Sequence, residues 1–148
     1  MAQVHIRRAV ESDADAAASL YQAARQAAIP AIPPPVHSCA ETRKWIGDSI
    51  RDGGVWVAEA SRSLHGLMML DGSFLDQLYV APGHTGQGIG QQLLDQAKAL
   101  RPGGLRLWTF ASNIGARRFY ERHGFHAVEE TDGSGNEERA PDVLYMWP

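Results

Sequence analysis

The spacing of apolar residues divides this chain into alternating strands and helices. Alternating or continuous apolar runs predict strands, whereas apolar residues that recur at every third or fourth position predict helices. Strands are predicted at residues 3–9, 55–60, 63–70, 73–80, 105–110, 125–130 and 143–148. The clearest helix follows Gly88 and carries an apolar face made of Ile89, Leu93, Leu94, Ala97 and Leu100.

Local signals predict three further helices and their boundaries. An alanine-rich helix runs to about Ala28, and the four prolines of residues 30–35 end it in an extended connector. A second helix passes through Trp45 to Ile50, and Gly124 is placed to end the last helix in a left-handed conformation. Candidate capping residues are Ser12 or Asp13 for the first helix, Ser38 with Glu41 for the second, and Ser112 or Asn113 for the last.

The predicted order of elements is β-α-α-β-β-β-α-β-α-β-β. Such an order is typical of an α/β protein in which helices cover both faces of a mixed sheet. The chain has 148 residues, and no repeat or linker divides it. We therefore expect one domain spanning residues 1–148.

Composition and charge restrict the function classes. The formal net charge of −3 argues against a nucleic-acid-binding protein, which would be strongly basic. One cysteine, Cys39, cannot form an internal disulfide, and neither a signal peptide nor an apolar run of membrane-spanning length is evident. The His and Cys residues lack a zinc-ligand spacing. These features predict a cytoplasmic protein without a metal, nucleic-acid or membrane partner.

A glycine-rich loop is the clearest candidate for ligand binding. Gly86, Gly88 and Gly90 precede a helix, and such a loop exposes backbone N–H groups to an anion such as phosphate. A nucleotide P-loop would need Lys where Ile89 stands, and the dinucleotide fingerprint would need Gly where Gln91 stands. Taken alone, the glycines are equally consistent with a tight turn.

Two longer stretches resemble the GNAT superfamily of N-acetyltransferases. They read LDQLYVAPGHTGQGIGQQLL from residue 75 and LWTFASNIGARRFYERHGF from residue 107, and together they cover about residues 74–126. The resemblance implies the GNAT fold, acetyl-CoA as co-substrate, and direct transfer of the acetyl group to a primary amine. The alternative is a domain of the same fold that binds acetyl-CoA as a sensor or interaction module without catalysis.

The resemblance also implies a set of coenzyme-binding residues. The pyrophosphate of coenzyme A would lie against backbone N–H groups of the glycine loop and first helical turn, and Asn113 would hold the pantetheine arm. Thr85 stands where the family prefers Gln or Arg, so a somewhat weaker affinity is expected. The backbone near Leu78, Tyr79 and Val80 would stabilise the oxyanion. The loop residues concerned are Gly86, Gln87, Gly88, Ile89, Gly90 and Gln91.

Two side chains are candidates for catalysis. Tyr120 lies seven residues after Asn113, on the same face of one helix, and the resemblance implies that it protonates the departing thiolate. Some relatives place a glutamate base where this chain has Trp108, so Asp76, in the strand before the glycine loop, becomes the candidate base. The structural alternatives are an N-cap for Asn113, a packed aromatic for Tyr120 beside a core Phe119, and a solvent-facing Asp76.

The acceptor would be a small-molecule or peptide amine. In GNAT folds it enters between the connector of the first two helices and the loop before the last strand. Both segments are acidic here, which suits a cationic amine but is equally typical of a solvated loop. A homodimer is possible. The residues concerned are His37, Glu41, Trp45, Glu129, Glu130, Asp132, Glu137, Glu138 and Asp142.

Overall fold

Seven strands and four helices follow one another in the predicted order. The computed structural model describes residues 3–148, and the predicted strand boundaries agree with it to within two residues. The fold class is therefore confirmed. The strands are β1 (His5–Arg8), β2 (Val55–Ala60), β3 (Ser63–Asp71), β4 (Phe74–Val80), β5 (Leu105–Phe110), β6 (His126–Thr131) and β7 (Asp142–Trp147). The helices are α1 (Ala14–Ala28), α2 (Cys39–Arg51), α3 (Ile89–Leu100) and α4 (Ile114–Arg122).

All seven strands form one mixed sheet in the order β1-β2-β3-β4-β5-β7-β6. Neighbouring strands are antiparallel except β4 and β5, which are parallel and are connected through α3. Parallel neighbours require such a crossover, whereas the antiparallel hairpins on either side need only short turns. The one parallel pair therefore lies in the middle of the sheet.

The two faces of the sheet are covered by different helices. α1 and α2 pack over β2 and β3, around side chains that include Ile46, Val57 and Leu67. α3 packs on the other face with Tyr120 of α4, against residues such as Leu107 and Tyr145. Alternate residues of β3 supply these two cores, as the period of two along a strand requires.

Gly66 allows α3 to lie very close to β3. A Cβ atom added there would be 2.8 Å from Cδ1 of Leu93 and 2.9 Å from Cγ2 of Ile89. Both distances are shorter than normal van der Waals contact, so the helix could not approach this closely over a larger residue. This contact fixes the position of the first turn of α3, which follows the glycine loop.

Helix capping agrees with the sequence at α2 and differs at α1. The backbone N–H of Glu41 donates to Ser38 Oγ (3.1 Å), and the N–H of Ser38 donates to Glu41 Oε1 (2.9 Å), which confirms the capping box. At α1, Asp13 occupies the predicted N-cap position, but its side chain caps no N–H group of the helix, and residues 11–13 form a 3₁₀ turn. The Asp13 carboxylate accepts from the N–H of Val10 and binds Arg7.

The connector after α1 is folded back at its start. Residues 29–31 form a turn, and the N–H of Ile32 donates to the carbonyl of Ala28 (3.2 Å). Ile32 is buried, so a fully extended connector is wrong for this segment. Prolines explain the end of the helix, but the turn depends on burial of the isoleucine between them.

Within residues 3–148, no helix is long and apolar enough to cross a membrane.

Candidate active site

The sheet opens between its two parallel strands. β4 and β5 pair only at Phe74 and Arg106, near their beginnings, and diverge beyond that point. A cavity of about 930 Å³ lies at this opening, lined by both strands, α4 and the loop between β6 and β7. Open sheet edges are unfavourable unless their polar groups find partners, so a ligand is the natural occupant of such an opening.

β4 carries a bulge where the opening begins. Leu70 pairs with Leu75 and Met69 pairs with Gln77, so Asp76 is an extra residue without a partner on β3. A bulge bends its strand and re-aims the residues beside it. The Asp76 side chain is exposed and lines the cavity, together with Leu78 and Tyr79.

The glycine loop forms an open cradle at the start of α3. Gly86 and Gly88 have left-handed backbones (φ 77° and 80°), and a Cβ atom added to either would meet nothing within 4 Å. Among the residues that the structure describes, no side chain caps α3, whose N-cap is Gly88, so the first N–H groups of the helix have no partner there. The loop therefore fits a compact anion such as a pyrophosphate.

Gly90 has a different role from Gly86 and Gly88. It lies inside α3 with an ordinary helical backbone, and a Cβ atom there would be 3.5 Å from Phe119 and 3.7 Å from Val80. These are ordinary van der Waals distances, so packing alone does not require glycine here, and its N–H lies in the open first turn. Ile89 is buried in the core, so only its backbone can face a ligand.

α4 places Asn113 and Tyr120 on the same cavity. Oδ1 of Asn113 accepts from the N–H of Ala116 (3.2 Å), so Asn113 caps the helix as the structural alternative predicted. This bond leaves its amide nitrogen free to face the cavity. The predicted role in holding a pantetheine arm is compatible with the cap and stays a prediction.

Tyr120 is the more buried of the two adjacent aromatics. It is 8% exposed and packs edge-on against Phe125, whereas Phe119 is only partly buried, so the assignment of Phe119 as the core residue is wrong. Burial raises the pKa of Tyr120, which keeps the phenol protonated. Its hydroxyl has no hydrogen-bond partner among residues 3–148, so it is available to a molecule in the cavity.

The Asp76 carboxylate has no ion-pair partner among the described residues. Although the residue is exposed, the walls of the cleft partly desolvate its carboxylate; this desolvation, followed by the charge of Asp71, raises its pKa, and a hydrogen bond from Gln77 only partly offsets the effect. A raised pKa makes the ionised carboxylate a better proton acceptor. The geometry is thus consistent with the predicted base, whose role stays a prediction.

A second cavity of about 640 Å³ adjoins the first on the side of α1 and α2. Asp76, Gln77 and Arg25 line both, together with Glu137 and Glu138 from the loop between β6 and β7. This loop contacts the connector of the first two helices, where His37 Nε2 lies 2.6 Å from Glu137 Oε2. The structure therefore brings together the two segments predicted to admit the acceptor.

The other residues predicted for the acceptor side differ in their position relative to the two cavities. Glu41 and Trp45 line the second cavity, whereas Glu129 and Glu130 lie exposed on β6 outside both cavities. Asp132 instead accepts a hydrogen bond from the N–H of Ser134 (2.9 Å) and so shapes its own loop. Asp142 lines the first cavity, but it is bound there by Thr131 and by Asn136.

Arg25 is the residue that sequence reasoning missed. Its guanidinium is buried between the two cavities, donates to Tyr21 Oη (3.2 Å) and to the carbonyl of Pro33 (3.3 Å), and lies 3.7 Å from Glu138 Oε2. Its Nε is the only buried side-chain polar atom without a partner among residues 3–148. A signal was present, because Arg25 follows Tyr21 by one helical turn and so shares the apolar face of α1.

Tyr79 completes this cluster from β4. Its ring packs edge-on against Tyr21, with 5.3 Å between centroids, and burial raises its pKa to about 12. The side chain therefore belongs to the acceptor side of the site, in addition to the predicted role of its backbone.

No group of three or more potential metal ligands occurs within residues 3–148.

Comparison with known proteins identifies a matching family and relatives of similar sequence. The family model described as acetyltransferase (GNAT) domain matches residues 51–127. The peptidyl-lysine N-acetyltransferase YjaB of Salmonella typhimurium is 31% identical over 109 residues, which cover 72% of this chain and 74% of that protein. The peptidyl-lysine N-acetyltransferase YiaC of Escherichia coli is 32% identical over 94 residues, covering 63% of this chain and 62% of that protein.

Solved structures share the fold over nearly the whole chain. The solution structure of apo-form YjaB from Escherichia coli has a TM-score of 0.78 at 21% identity and covers 97% of both chains. The PaiA N-acetyltransferase from Thermoplasma acidophilum, in complex with coenzyme A, has a TM-score of 0.74 at 21% identity and covers 98% of both chains. At these identities the likeness concerns the fold.

Proposed function

We propose that this chain, which belongs to the GNAT family of acetyltransferases, transfers the acetyl group of acetyl-CoA directly to the side-chain amine of a lysine in a peptide or protein. The observation that supports this most directly is that Asp76 of β4 lines one cavity, at the opening of the sheet, with Asn113 and Tyr120 of α4. They supply a proton acceptor, an amide and a phenol at the place where β4 leaves its backbone unpaired.

The coenzyme would bind on both sides of this opening. Backbone N–H groups of Gly86 to Gln91 would hold the pyrophosphate, since the left-handed glycines and the uncapped α3 leave those donors free. The amide of Asn113 would contact the pantetheine arm. Backbone N–H groups of β4 near Leu78, Tyr79 and Val80 would hydrogen-bond the thioester oxygen, where negative charge develops during attack.

The chemical step needs one proton acceptor and one donor. Asp76 would take a proton from the acceptor ammonium, directly or through a water molecule, so that the free amine can attack the thioester carbon. As the new C–N bond forms and the C–S bond breaks, Tyr120 would donate a hydrogen bond or its proton to the leaving sulfur. The raised pKa of Tyr120 favours donation of a hydrogen bond over full proton transfer.

The charges at the mouth of the site support a cationic acceptor. Five carboxylates line the second cavity, against two permanent cations and one histidine. Four of the carboxylates have a cationic or histidine partner, which leaves Asp76 to pair with an incoming ammonium. The names of the relatives YjaB and YiaC, peptidyl-lysine N-acetyltransferases, agree with a lysine acceptor.

Direct transfer is favoured over a covalent enzyme intermediate. The only cysteine, Cys39, is exposed at the start of α2, its thiol lies 2.9 Å from Gln22 Oε1, and it lines neither cavity. We therefore expect the amine, the thioester and the enzyme to react in one ternary complex. A Cys39→Ala variant should turn over at the wild-type rate.

Thiol release from acetyl-CoA tests the proposal. The acceptors are an N-terminally blocked peptide with one lysine, a peptide with a free α-amine and no lysine, and a linear polyamine. We expect release with the lysine peptide above all, and calorimetric binding of acetyl-CoA but not of ATP or NAD. Tight binding of acetyl-CoA with no release for any acceptor would instead identify a non-catalytic coenzyme-binding module.

A further inference from the structure

We propose that Trp108 is the apolar floor on which the aliphatic stem of the acceptor lies, so that the enzyme selects amines carried on a long unbranched stem. The inference rests on the proposed function and assigns a specificity-determining residue to it. It begins with burial along β5, where Leu105 and Leu107 are 1% exposed and Trp108 is 43% exposed. A large aromatic exposed on a concave surface favours contact with a ligand.

Trp108 and Asp76 lie on the two strands that border the opening of the sheet. Phe74 and Arg106 are the paired residues of the parallel strands, and Asp76 and Trp108 each lie two positions further along. Both side chains line the same cavity. The carboxylate and the indole therefore flank the opening of the sheet, one on each strand.

This pair of groups matches the two parts of a lysine side chain. An ammonium beside Asp76 would place the methylenes that precede it across the opening, toward the indole. An aromatic ring covers an aliphatic stem well and also attracts the positive charge at its end. A short or branched amine would satisfy Asp76 but leave the indole in water.

The expected selectivity follows from the area that each methylene buries. Burial of one methylene contributes about 0.8 kcal/mol, which is equivalent to roughly a fourfold change in kcat/KM. Peptides that differ only in the acceptor residue, with four, three or two side-chain methylenes (lysine, ornithine and diaminobutyrate), should therefore fall in activity by about fourfold at each step.

Three variants separate the indole from other causes of this trend. A shorter stem also reaches less far, so the informative quantity is the change of the lysine-to-diaminobutyrate ratio in Trp108→Ala. We expect the wild-type ratio to fall by up to roughly 16-fold in this variant, toward the ratio that reach alone gives. Trp108→Phe should retain most of it. Val128→Ala removes another exposed apolar side chain, 45% exposed and outside both cavities, and should leave it unchanged.

Binding measurements separate failure of this inference from failure of the proposed function. Dissociation constants of the three peptides are measured in the presence of coenzyme A, for the wild type and Trp108→Ala, together with acetyl-CoA affinity and thermal unfolding. If the affinity of the peptides decreases with each methylene removed but none of them is acetylated, the proposed function is wrong and the role of Trp108 is supported. If Trp108→Ala or, where that variant does not fold, Trp108→Gln keeps the full wild-type ratio, Trp108 is not the floor.

Discussion

Loss of a single tyrosine hydroxyl should have opposite consequences at two positions of this protein. Tyr120→Phe should slow acetyl transfer and leave stability unchanged, whereas Tyr145→Phe should lower stability and leave the rate of transfer nearly unchanged. The two rings lie in one core, with 6.4 Å between their centroids, so the comparison keeps the type of change and its surroundings matched.

The expected loss of rate follows from the position of the Tyr120 hydroxyl. It faces the cavity without a protein partner, so its removal breaks no hydrogen bond within residues 3–148. General acid catalysis is typically worth 10²–10⁴-fold. We expect kcat to fall by about 10²-fold, at the low end, because a thiolate leaves readily and the raised pKa of Tyr120 makes the phenol a weak acid.

The expected loss of stability follows from the partners of Tyr145. Its hydroxyl accepts from Arg117 Nε (3.0 Å) and donates to Glu121 Oε2 (2.7 Å). Hydrogen bonds to charged groups contribute about 1.5–3 kcal/mol, and both of these partners reach solvent, so about 2 kcal/mol is expected for the pair. For a chain of this size that corresponds to a decrease in Tm of about 4–8 °C.

Thermal unfolding and single-turnover thiol release check both halves of the prediction. Single-turnover conditions are needed because product release can mask a slower chemical step. A Tyr120→Phe variant that reacts at the wild-type rate would show that the phenol is structural. A decrease in its Tm like that of Tyr145→Phe would show that the hydroxyl has a partner inside the fold, and the catalytic assignment would then belong to another residue.

Two further substitutions test the proton acceptor and the phosphate cradle. Asp76→Asn should lower kcat/KM by about 10²-fold or more and remove the acidic limb of its pH profile; full activity would exclude Asp76 as the base. Because the pKa of Asp76 is raised in the folded state, its ionisation opposes folding. As the pH falls from 7 through that pKa, the free energy of unfolding of the wild type, measured by chemical denaturation, should therefore rise relative to that of Asp76→Asn. Gly88→Val should weaken acetyl-CoA binding in calorimetry, since its side chain would enter the open cradle. Gly72→Val is the control, because Gly72 is a hairpin residue that is also left-handed (φ 58°) and the substitution causes similar backbone strain. Equal coenzyme affinities for the two variants would show that the phosphate binds elsewhere.

The elements of the fold were predictable because local spacing determines them. The apolar stripe of α3 appears in the sequence with a helical period, and all but Leu100 of its members are buried in the structure. Ser38 and Glu41 are only three residues apart, so their reciprocal capping needs no tertiary information. At α1, by contrast, Asp13 binds Arg7 of β1, a partner that only the folded sheet brings near.

The missed parts of the site depend on how distant elements pack. Tyr120 and Phe119 are adjacent on α4, and the docking angle of the helix decides which of the two is buried. The chemistry of Arg25 depends on Glu138, which is more than a hundred residues away in sequence. The opening between β4 and β5 depends on one parallel pair in an otherwise antiparallel sheet, a feature that no single strand carries in its own sequence.

The features that open the site are the places where the fold leaves its own interactions incomplete. Within residues 3–148, α3 begins at Gly88 without a side-chain cap and Asp76 has no ion-pair partner. β4 loses its β5 neighbour beyond Phe74, and the Trp108 indole is 43% exposed. Each of these lowers the stability of the free protein, and each complements one part of the proposed ternary complex. The uncapped helix complements a pyrophosphate, the open strand edge a thioester carbonyl, the carboxylate an ammonium, and the indole an aliphatic stem. Because a ligand that completes all four would bind the folded state alone, selection for that ligand explains why the fold retains them together.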